Sequence, residues 1–252
     1  MSLPSSHPLA GVTAAILAGG PGTRLRAVLG DRPKALAPVG GRPFLAYPLE
    51  QLAAAGVRTA VICTGWRGEA VQAAFGPALG PLRLEYSREA APLGTAGALR
   101  AALPLLASPE VLVLSGDAFC EVDLAELART HVRHGADATL VVVPVPEALP
   151  HRRVDVDPLG RVRAVRETAE PGPGWVSAGV YCLARRLLQA LPAGPVSLER
   201  EALPGWLSRR CFALPTFGRF LDLDTPEAYA AAQAFFGPAA PSPAAGRERG
   251  PA

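Results

Sequence analysis

An α/β fold, with a mainly parallel central sheet covered by helices on both faces and a second half built on a mixed sheet, is what this sequence predicts. Three observations predict it. Short apolar runs alternate with helical stretches through the first half of the 252 residues, the pattern of strand–helix–strand units. The second half changes to strand-like runs joined by turns, which suggests antiparallel or mixed pairing. Hydrophobic residues make up 49%, and mean hydropathy is +0.21, enough to bury a core and to exclude a disordered or fibrous chain.

Taken in order, Val12–Leu17, Thr59–Cys63, Leu82–Tyr86 and Val111–Leu114 are short and aliphatic and read as buried strands. Phe44–Ala55, Glu69–Phe75 and Ala96–Leu106 read as the helices between them. A further helix starts at Asp123, where Asp123 and Glu126 have capping-box spacing and Leu124, Leu127 and Ala128 share a face. Ala138–Val143, Arg153–Val156, Arg161–Val165 and Val176–Cys182 are the strands of the second half. The last helix begins at Thr225-Pro226-Glu227, a cap followed by proline at the first helical position. One domain is expected over residues 11–236, its halves meeting near residue 135, between tails at 1–10 and 237–252.

Composition removes several function classes. Net charge is +3 with no basic run, so nothing suggests a nucleic-acid footprint. No apolar stretch reaches about 18 residues, so no membrane span is expected. The first residues lack a basic-then-apolar signal sequence. Cys63, Cys120, Cys182 and Cys211 are scattered without CxxC spacing and read as reduced thiols of a cytoplasmic protein. Among the 25 basic residues, Lys34 is the only lysine, and asparagine is absent. Drift away from lysine and asparagine codons makes the surviving lysine conspicuous.

The sharpest chemistry is Leu17-Ala18-Gly19-Gly20-Pro21-Gly22-Thr23-Arg24-Leu25, directly after the first strand. Its glycines clear side chains from backbone N–H groups that an anion can approach, and Arg24 is a bidentate phosphate partner. Pro33-Lys34 follows ten residues on, an ammonium that can track phosphate oxygens in motion. The loop is neither a Walker loop nor a G-x-G-x-x-G dinucleotide fingerprint. Ser115-Gly116-Asp117 sits at the carboxyl end of a predicted strand, where open α/β sheets bind ligands. Leu221-Asp222-Leu223-Asp224-Thr225 adds a second acidic element before the last helix. Separated carboxylates near phosphates are ligands for Mg²⁺; from spacing alone, Asp117 reads equally as a turn cap, and Asp224 or Thr225 as a helix cap. His131 and His134 read as a surface pair, Cys120 as a packed thiol, and Trp66, Trp175 and Trp206 as too dispersed for a stacking platform. Trp175 is the one tryptophan beside a site motif.

The ordered set LAGGPGTRL, RPKALAPVGGRPFLAYPLEQL, EAAPLGTAGALRAAL, LSGDAF, SAGVY and FLDLDTPEAY resembles the sugar-1-phosphate nucleotidyltransferases, and Pro92-Leu93-Gly94-Thr95-Ala96-Gly97 is similar to the short branch that acts on mannose or heptose 1-phosphates with GTP. The resemblance spans Gly11 to Phe236. It implies a Rossmann-like nucleotide half at about 11–135 and a sugar half at about 136–236. It implies that the backbone of Leu17, Ala18 and Gly19 and the segment Glu89–Thr95, including Gly94, hold the base. Gly20, Gly22 and Thr23 then cradle the triphosphate, with Arg24 on its outer phosphates and Lys34 between the α-phosphate and the sugar phosphate. Asp117 and Asp222 hold Mg²⁺, while Glu167 and Gly179 face the sugar.

The same resemblance shows departures. Thr168 stands where the family commonly has lysine, Ser177-Ala178-Gly179 replaces an Asn-x-Gly motif, and His151-Arg152 replaces Tyr-Gly. Arg152, Arg153 or Arg166 are the candidates to restore charge at the sugar phosphate. The expected reaction is in-line attack of a sugar 1-phosphate on an NTP with pyrophosphate leaving, and it needs no general base because the nucleophile is already anionic. UTP or dTTP in place of GTP is the alternative within the chemistry, and a non-catalytic nucleotide-sensing protein the alternative outside it. The expected partners are the two substrates, with no nucleic acid and no membrane, and a homo-oligomer is compatible with everything read so far.

Overall fold

A computed structural model of the chain describes residues 8–145, 152–167 and 172–237. The first half runs β1 (Thr13–Leu17), α1 (Arg26–Leu29), β2 (Pro38–Val39), β3 (Arg42–Pro43), α2 (Ala46–Ala54), β4 (Thr59–Thr64), α3 (Gly68–Phe75), β5 (Ala78–Leu79), β6 (Leu82–Arg88), α4 (Gly94–Ala101), β7 (Glu110–Ser115), β8 (Ala118–Cys120) and α5 (Leu124–Arg133). The second half runs β9 (Ala138–Val145), β10 (Arg152–Val156), β11 (Val162–Glu167), β12 (Gly174–Ala184), α6 (Arg185–Gln189), α7 (Leu203–Trp206), β13 (Cys211–Pro215), β14 (Phe220–Asp222) and α8 (Pro226–Phe236).

A ten-stranded sheet has the order β11-β10-β12-β7-β1-β4-β6-β5, with β9 on β12 and β13 on β9. β7, β1, β4 and β6 are mutually parallel, while β12 returns antiparallel to β7 and β9. Both expected halves are therefore present, joined in one sheet. The chain steps outward from β1 to β4 and β6, then returns to the other side of β1 with β7. That reversal opens a crevice at the carboxyl ends of β1 and β7.

The period-two alternation of the strands divides two cores. Ala15, Val61, Val111 and Val113 face α4 and the second-half segment 187–206, while Ala14, Ile16, Ile62, Leu112 and Leu114 face α2, α3 and α5. A third core joins Leu25, Ala37, Val39 and Phe44 to Leu221, Leu223 and Ala232. Tyr47 and Phe236 stack across it at 3.6 Å between ring centroids. This small core fixes the Lys34 segment against the strand that carries Asp222.

Several boundaries shift for physical reasons. α4 stops at Ala101 because Pro104 lacks an N–H and restricts Leu103. α2 starts at Ala46 because the N–H groups of Phe44 and Leu45 donate to Ala37 and Ala35 across the β2–β3 turn. Asp123 caps α5 by accepting from Ala125 and Glu126, but the Glu126 carboxylate turns to Arg129 and Arg133, so only half of the capping box forms. Leu9, placed in the tail by its sequence, is buried in the second core. Within the expected tails, residues 1–7 and 238–252 lie outside the described residues. His131 is 1% exposed, a correction to the surface pair: its Nδ1 meets Thr139 at 3.0 Å and its Nε2 meets Glu110 at 2.8 Å. His134 stacks separately on Phe212.

Candidate active site

The crevice predicted by the sheet order is a cleft of about 670 Å³. One wall is the glycine loop after β1, through Leu17, Gly19, Gly20 and Pro21. The opposite wall is Glu89–Pro92 with Gly94 and Thr95, and Ser115 and Asp117 close the end of β7. Six of the nine residues expected to bind nucleotide thus line one cavity. Ala18, Gly22 and Thr23 do not line it. Ala18 instead donates its N–H to the Cys63 carbonyl at 2.9 Å, holding the base of the loop to β4.

Close approach explains the glycines. A Cβ on Gly19 would lie 2.9 Å from Glu89 Oε1, and one on Gly116 would lie 2.8 Å from the Leu17 carbonyl. Gly22 adopts φ +60°, and a Cβ there would press on Lys34 Cβ at 3.0 Å. The loop and the lysine, two separate signals in the sequence, are therefore in packing contact. Gly20 meets no atom within 4 Å of a built Cβ and borders open cleft.

Lys34 begins a short 3₁₀ turn over Lys34–Leu36 and is only 8% exposed. Its Nζ donates to Asp117 Oδ2 at 2.8 Å and to Asp224 Oδ1 at 2.6 Å. Burial alone pulls an ammonium pKa down, but here the two carboxylates outweigh it and hold the lysine above its ordinary value. Arg24, mostly exposed, reaches Asp224 Oδ2 with NH1 at 3.1 Å. Thr225, not Asp224, caps α8 by accepting from the Ala228 N–H. Asp224 is left to bridge the two cations, a role its spacing did not suggest.

Asp222 ends β14 opposite Ala118 of β8, one residue from Asp117, and the Leu223 N–H donates to the Asp117 carbonyl at 2.9 Å. Two carboxylates thus come from adjoining strand ends beside the cleft. No group of three or more His, Cys, Asp or Glu able to hold a metal occurs among the described residues. Two hard oxygen donors, with phosphate oxygens and water completing the shell, are a set that Mg²⁺ accepts, so the residues present fit that ion.

The Glu89 carboxyl accepts from the Leu93 N–H at 3.0 Å, and desolvation raises its pKa above the ordinary carboxylate value. The Thr95 hydroxyl donates to Glu199 Oε2 at 3.2 Å and accepts from the Leu198 N–H at 2.7 Å. Its side chain therefore ties the loop Glu89–Thr95 to the segment 197–202. Glu199 is buried and also accepts from the Tyr181 hydroxyl at 3.2 Å.

The residues expected to face the sugar are less fully described. Gly179 sits at φ +71° in an irregular stretch of β12, and a Cβ there would strike Ser115 Oγ at 2.6 Å. It borders the cleft through Ser115. Arg152 and Glu167 pair across β10 and β11, and their side chains, like Thr168 and His151, lie outside the described residues. Of the candidate replacement charges, Arg153 donates to the Gly172 carbonyl at 2.6 Å and Arg166 is ion-paired with Asp155. Trp175 packs edge-on to Phe217. Cys120 is buried with its thiol pushed up to about 12 by burial, the packed thiol its sequence implies.

Two further elements, one lining the cleft and one beside it, carry no assignment in the sequence reading. Gly65-Trp66-Arg67 follows β4 and lines the cavity, with the Arg67 guanidinium over the Trp66 ring. A Cβ on Gly65 would lie 2.5 Å from Glu89 Oε1 and 2.8 Å from the Gly19 carbonyl. The signal was available, since Gly65 ends a strand on the same carboxyl edge as Gly19 and Asp117. The other element is Asp224.

Known proteins resemble this chain along most of its length. A sequence model for the family described as nucleotidyl transferase matches residues 13–203. The mannose-1-phosphate guanylyltransferase of Mycobacterium tuberculosis (strain ATCC 25618 / H37Rv) is 35% identical over 247 residues, covering 95% of this chain and 68% of that protein. The D-glycero-alpha-D-manno-heptose 1-phosphate guanylyltransferase of Aneurinibacillus thermoaerophilus is 30% identical over 222 residues, 87% of this chain and 96% of that one. Among solved structures, HddC from Yersinia pseudotuberculosis superposes with a TM-score of 0.80 at 28% identity, over 90% of this chain and 100% of that chain. A second HddC structure, complexed with GMP-PN, matches equally well. With a glycine loop, a buried lysine and an acidic strand end around one cleft, and with relatives aligned along nearly the whole described chain, the protein belongs to the nucleotidyl transferase family.

Proposed function

We propose that this chain transfers the guanylyl group of GTP to a mannose- or heptose-type 1-phosphate, with pyrophosphate leaving. The observation that carries the reading is Lys34: the chain's single lysine is buried beneath the glycine loop with its ammonium 2.8 Å from Asp117 at the cleft. Relatives named for the guanylyltransferase reaction on mannose and heptose 1-phosphates, and the HddC structure with GMP-PN, support the choice of base and sugar class.

In this reading the guanine rests between Leu17–Gly19 and Glu89–Thr95, and the amides around Gly20–Thr23 receive the phosphates. Arg24 takes the outer phosphates by its fork of donors. Lys34 neutralises charge where the sugar phosphate approaches the α-phosphorus, and it is fixed there before substrate arrives. No side chain has to remove a proton, because the attacking phosphate oxygen is anionic. Asp117 and Asp222 would hold Mg²⁺, which supplies charge neutralisation at the phosphates. Glu167 and Gly179 are assigned to the sugar side by the family resemblance, and Arg152 as a charge that could meet the sugar phosphate.

Phosphorus NMR of the protein mixed with GTP, mannose 1-phosphate and Mg²⁺ tests this directly. The expected products are free pyrophosphate and an asymmetric diphosphate diester. Release of GDP and orthophosphate, or no turnover with any sugar 1-phosphate, contradicts the proposal.

A further inference from the structure

Asp224 is the part of the cluster that the proposed function does not use. It stands on the loop between β14 and the Thr225 cap of α8, and its two oxygens are divided between the two cations assigned to phosphate. Oδ1 is 2.6 Å from Lys34 Nζ, and Oδ2 is 3.1 Å from Arg24 NH1. Resting on that assignment, we infer that Asp224 is a positioning residue that serves as an internal counter-anion: it holds the Lys34 ammonium in place and competes with the phosphates for Arg24.

The two contacts differ in strength. The Lys34 side chain is 10% exposed and that of Arg24 is 70% exposed. A short charge-assisted bond to a buried ammonium is hard to break, whereas an exposed ion pair contributes little. Arriving phosphates therefore detach Arg24 easily, while Asp224 keeps hold of Lys34. The charge balance follows from the same cluster. Arg24 and Lys34 carry two positive charges, and Asp117 and Asp224, which contact them, two negative ones, with Asp222 a further carboxylate beside Asp117. Removing the Asp224 charge makes the site one unit more positive, so it attracts a triphosphate or pyrophosphate more strongly. Asp224 thus lowers ground-state affinity for phosphates while fixing the ammonium where charge is to be met, a trade that favours turnover over binding.

The inference predicts a split that mere misfolding cannot produce. In Asp224→Asn the GTP dissociation constant by calorimetry should fall about tenfold, and KM should fall with it. The kcat should also fall, by about tenfold or more, because Lys34 loses a charged anchor and pyrophosphate leaves more slowly. Asp224→Glu restores the charge and should bring GTP affinity back to within about threefold of the unaltered protein. Asp224→Ser carries the same expectation as the asparagine variant, should that one fold poorly. Unchanged or weaker GTP binding in the asparagine and serine variants overturns the inference, as does a glutamate variant that binds as tightly as the asparagine one. If the unaltered protein binds neither GTP nor inorganic pyrophosphate, the phosphate site itself is misassigned and the inference falls with it. If it binds them and the variants bind no tighter, only the inference fails.

Discussion

Lys34→Arg keeps a positive charge at the centre of the proposed site and changes its shape alone, so its consequences follow from the local geometry. The ammonium makes two carboxylate contacts, at 2.8 and 2.6 Å, from a side chain that is 10% exposed. The stem cannot retreat to make room, since the Gly22 backbone lies against its Cβ. A guanidinium is larger and its donors diverge in a fixed plane, so at most one of the two contacts survives with good geometry. A charge-assisted hydrogen bond contributes about 1.5–3 kcal/mol, and an off-rotamer side chain costs about 0.5–1.5 kcal/mol. The sum is about 2–4.5 kcal/mol, or roughly 30- to 2000-fold in kcat/KM. Steady-state pyrophosphate release measures it, with a thermal melt to confirm folding. GTP affinity should move by only a few-fold, about 1 kcal/mol or less, because Arg24 and the glycine-loop amides remain. An arginine enzyme within about twofold of the unaltered one in kcat/KM would refute the reasoning and leave the single lysine a compositional accident.

Asp117→Ala should lower turnover at least about a hundredfold in the presence of Mg²⁺; full activity of that variant in EDTA removes the metal assignment. GTP should bind without sugar phosphate, giving a calorimetric signal at micromolar to sub-millimolar affinity, and a sugar phosphate that binds where no nucleoside triphosphate does would reverse the two halves. Gly65→Ala places a methyl group 2.5 Å from Glu89 Oε1 and 2.8 Å from the Gly19 carbonyl, so stability should drop by about 1–3 kcal/mol and GTP affinity with it; wild-type values in melts and calorimetry would show that the loop has room to move. His131 gives a pH signature. Burial holds its pKa below the usual 6.5 despite the opposing pull of Glu110 and Asp137, with Arg186 adding to the lowering. The unfolded chain therefore takes up the proton first as pH falls, and stability declines from pH 6.5 downward. The melting temperature of His131→Gln should fall less steeply than that of the unaltered protein over this range, and parallel slopes would contradict the assignment.

What the sequence disclosed follows the distance between interacting residues. The parallel half was legible because each strand is a local apolar run and each helix a local period. The glycine loop and Asp117 lie at strand ends where the fold class itself puts ligands. Lys34 stood out by composition, although nothing local revealed that it packs on Gly22. Its bond to Asp224 spans 190 residues, and no spacing rule connects them. Sequence spacing therefore singles out Asp222 as a metal carboxylate and offers Asp224 only as an alternative to Thr225 for the helix cap. His131 misled for a similar reason: a histidine on a helix reads as exposed until Glu110 and Thr139, on other elements, supply its partners. β13 and β14 went unpredicted because they pair with β9 and β8 rather than with neighbours in sequence. The sugar side was written as a set of departures from a family pattern, and Thr168 and the side chains of Arg152 and Glu167 lie outside the described residues.

The central claim is nucleotidyl transfer from GTP to a sugar 1-phosphate. Pyrophosphate release across a grid of the four ribonucleoside triphosphates and dTTP against mannose, heptose, glucose and galactose 1-phosphates tests it most directly. The expected result is Mg²⁺-dependent release that requires both substrates and is fastest with GTP and a mannose- or heptose-type 1-phosphate. Fastest release with UTP or dTTP would contradict the assigned base. Tight GTP binding with no release for any sugar phosphate would contradict the transfer reaction itself.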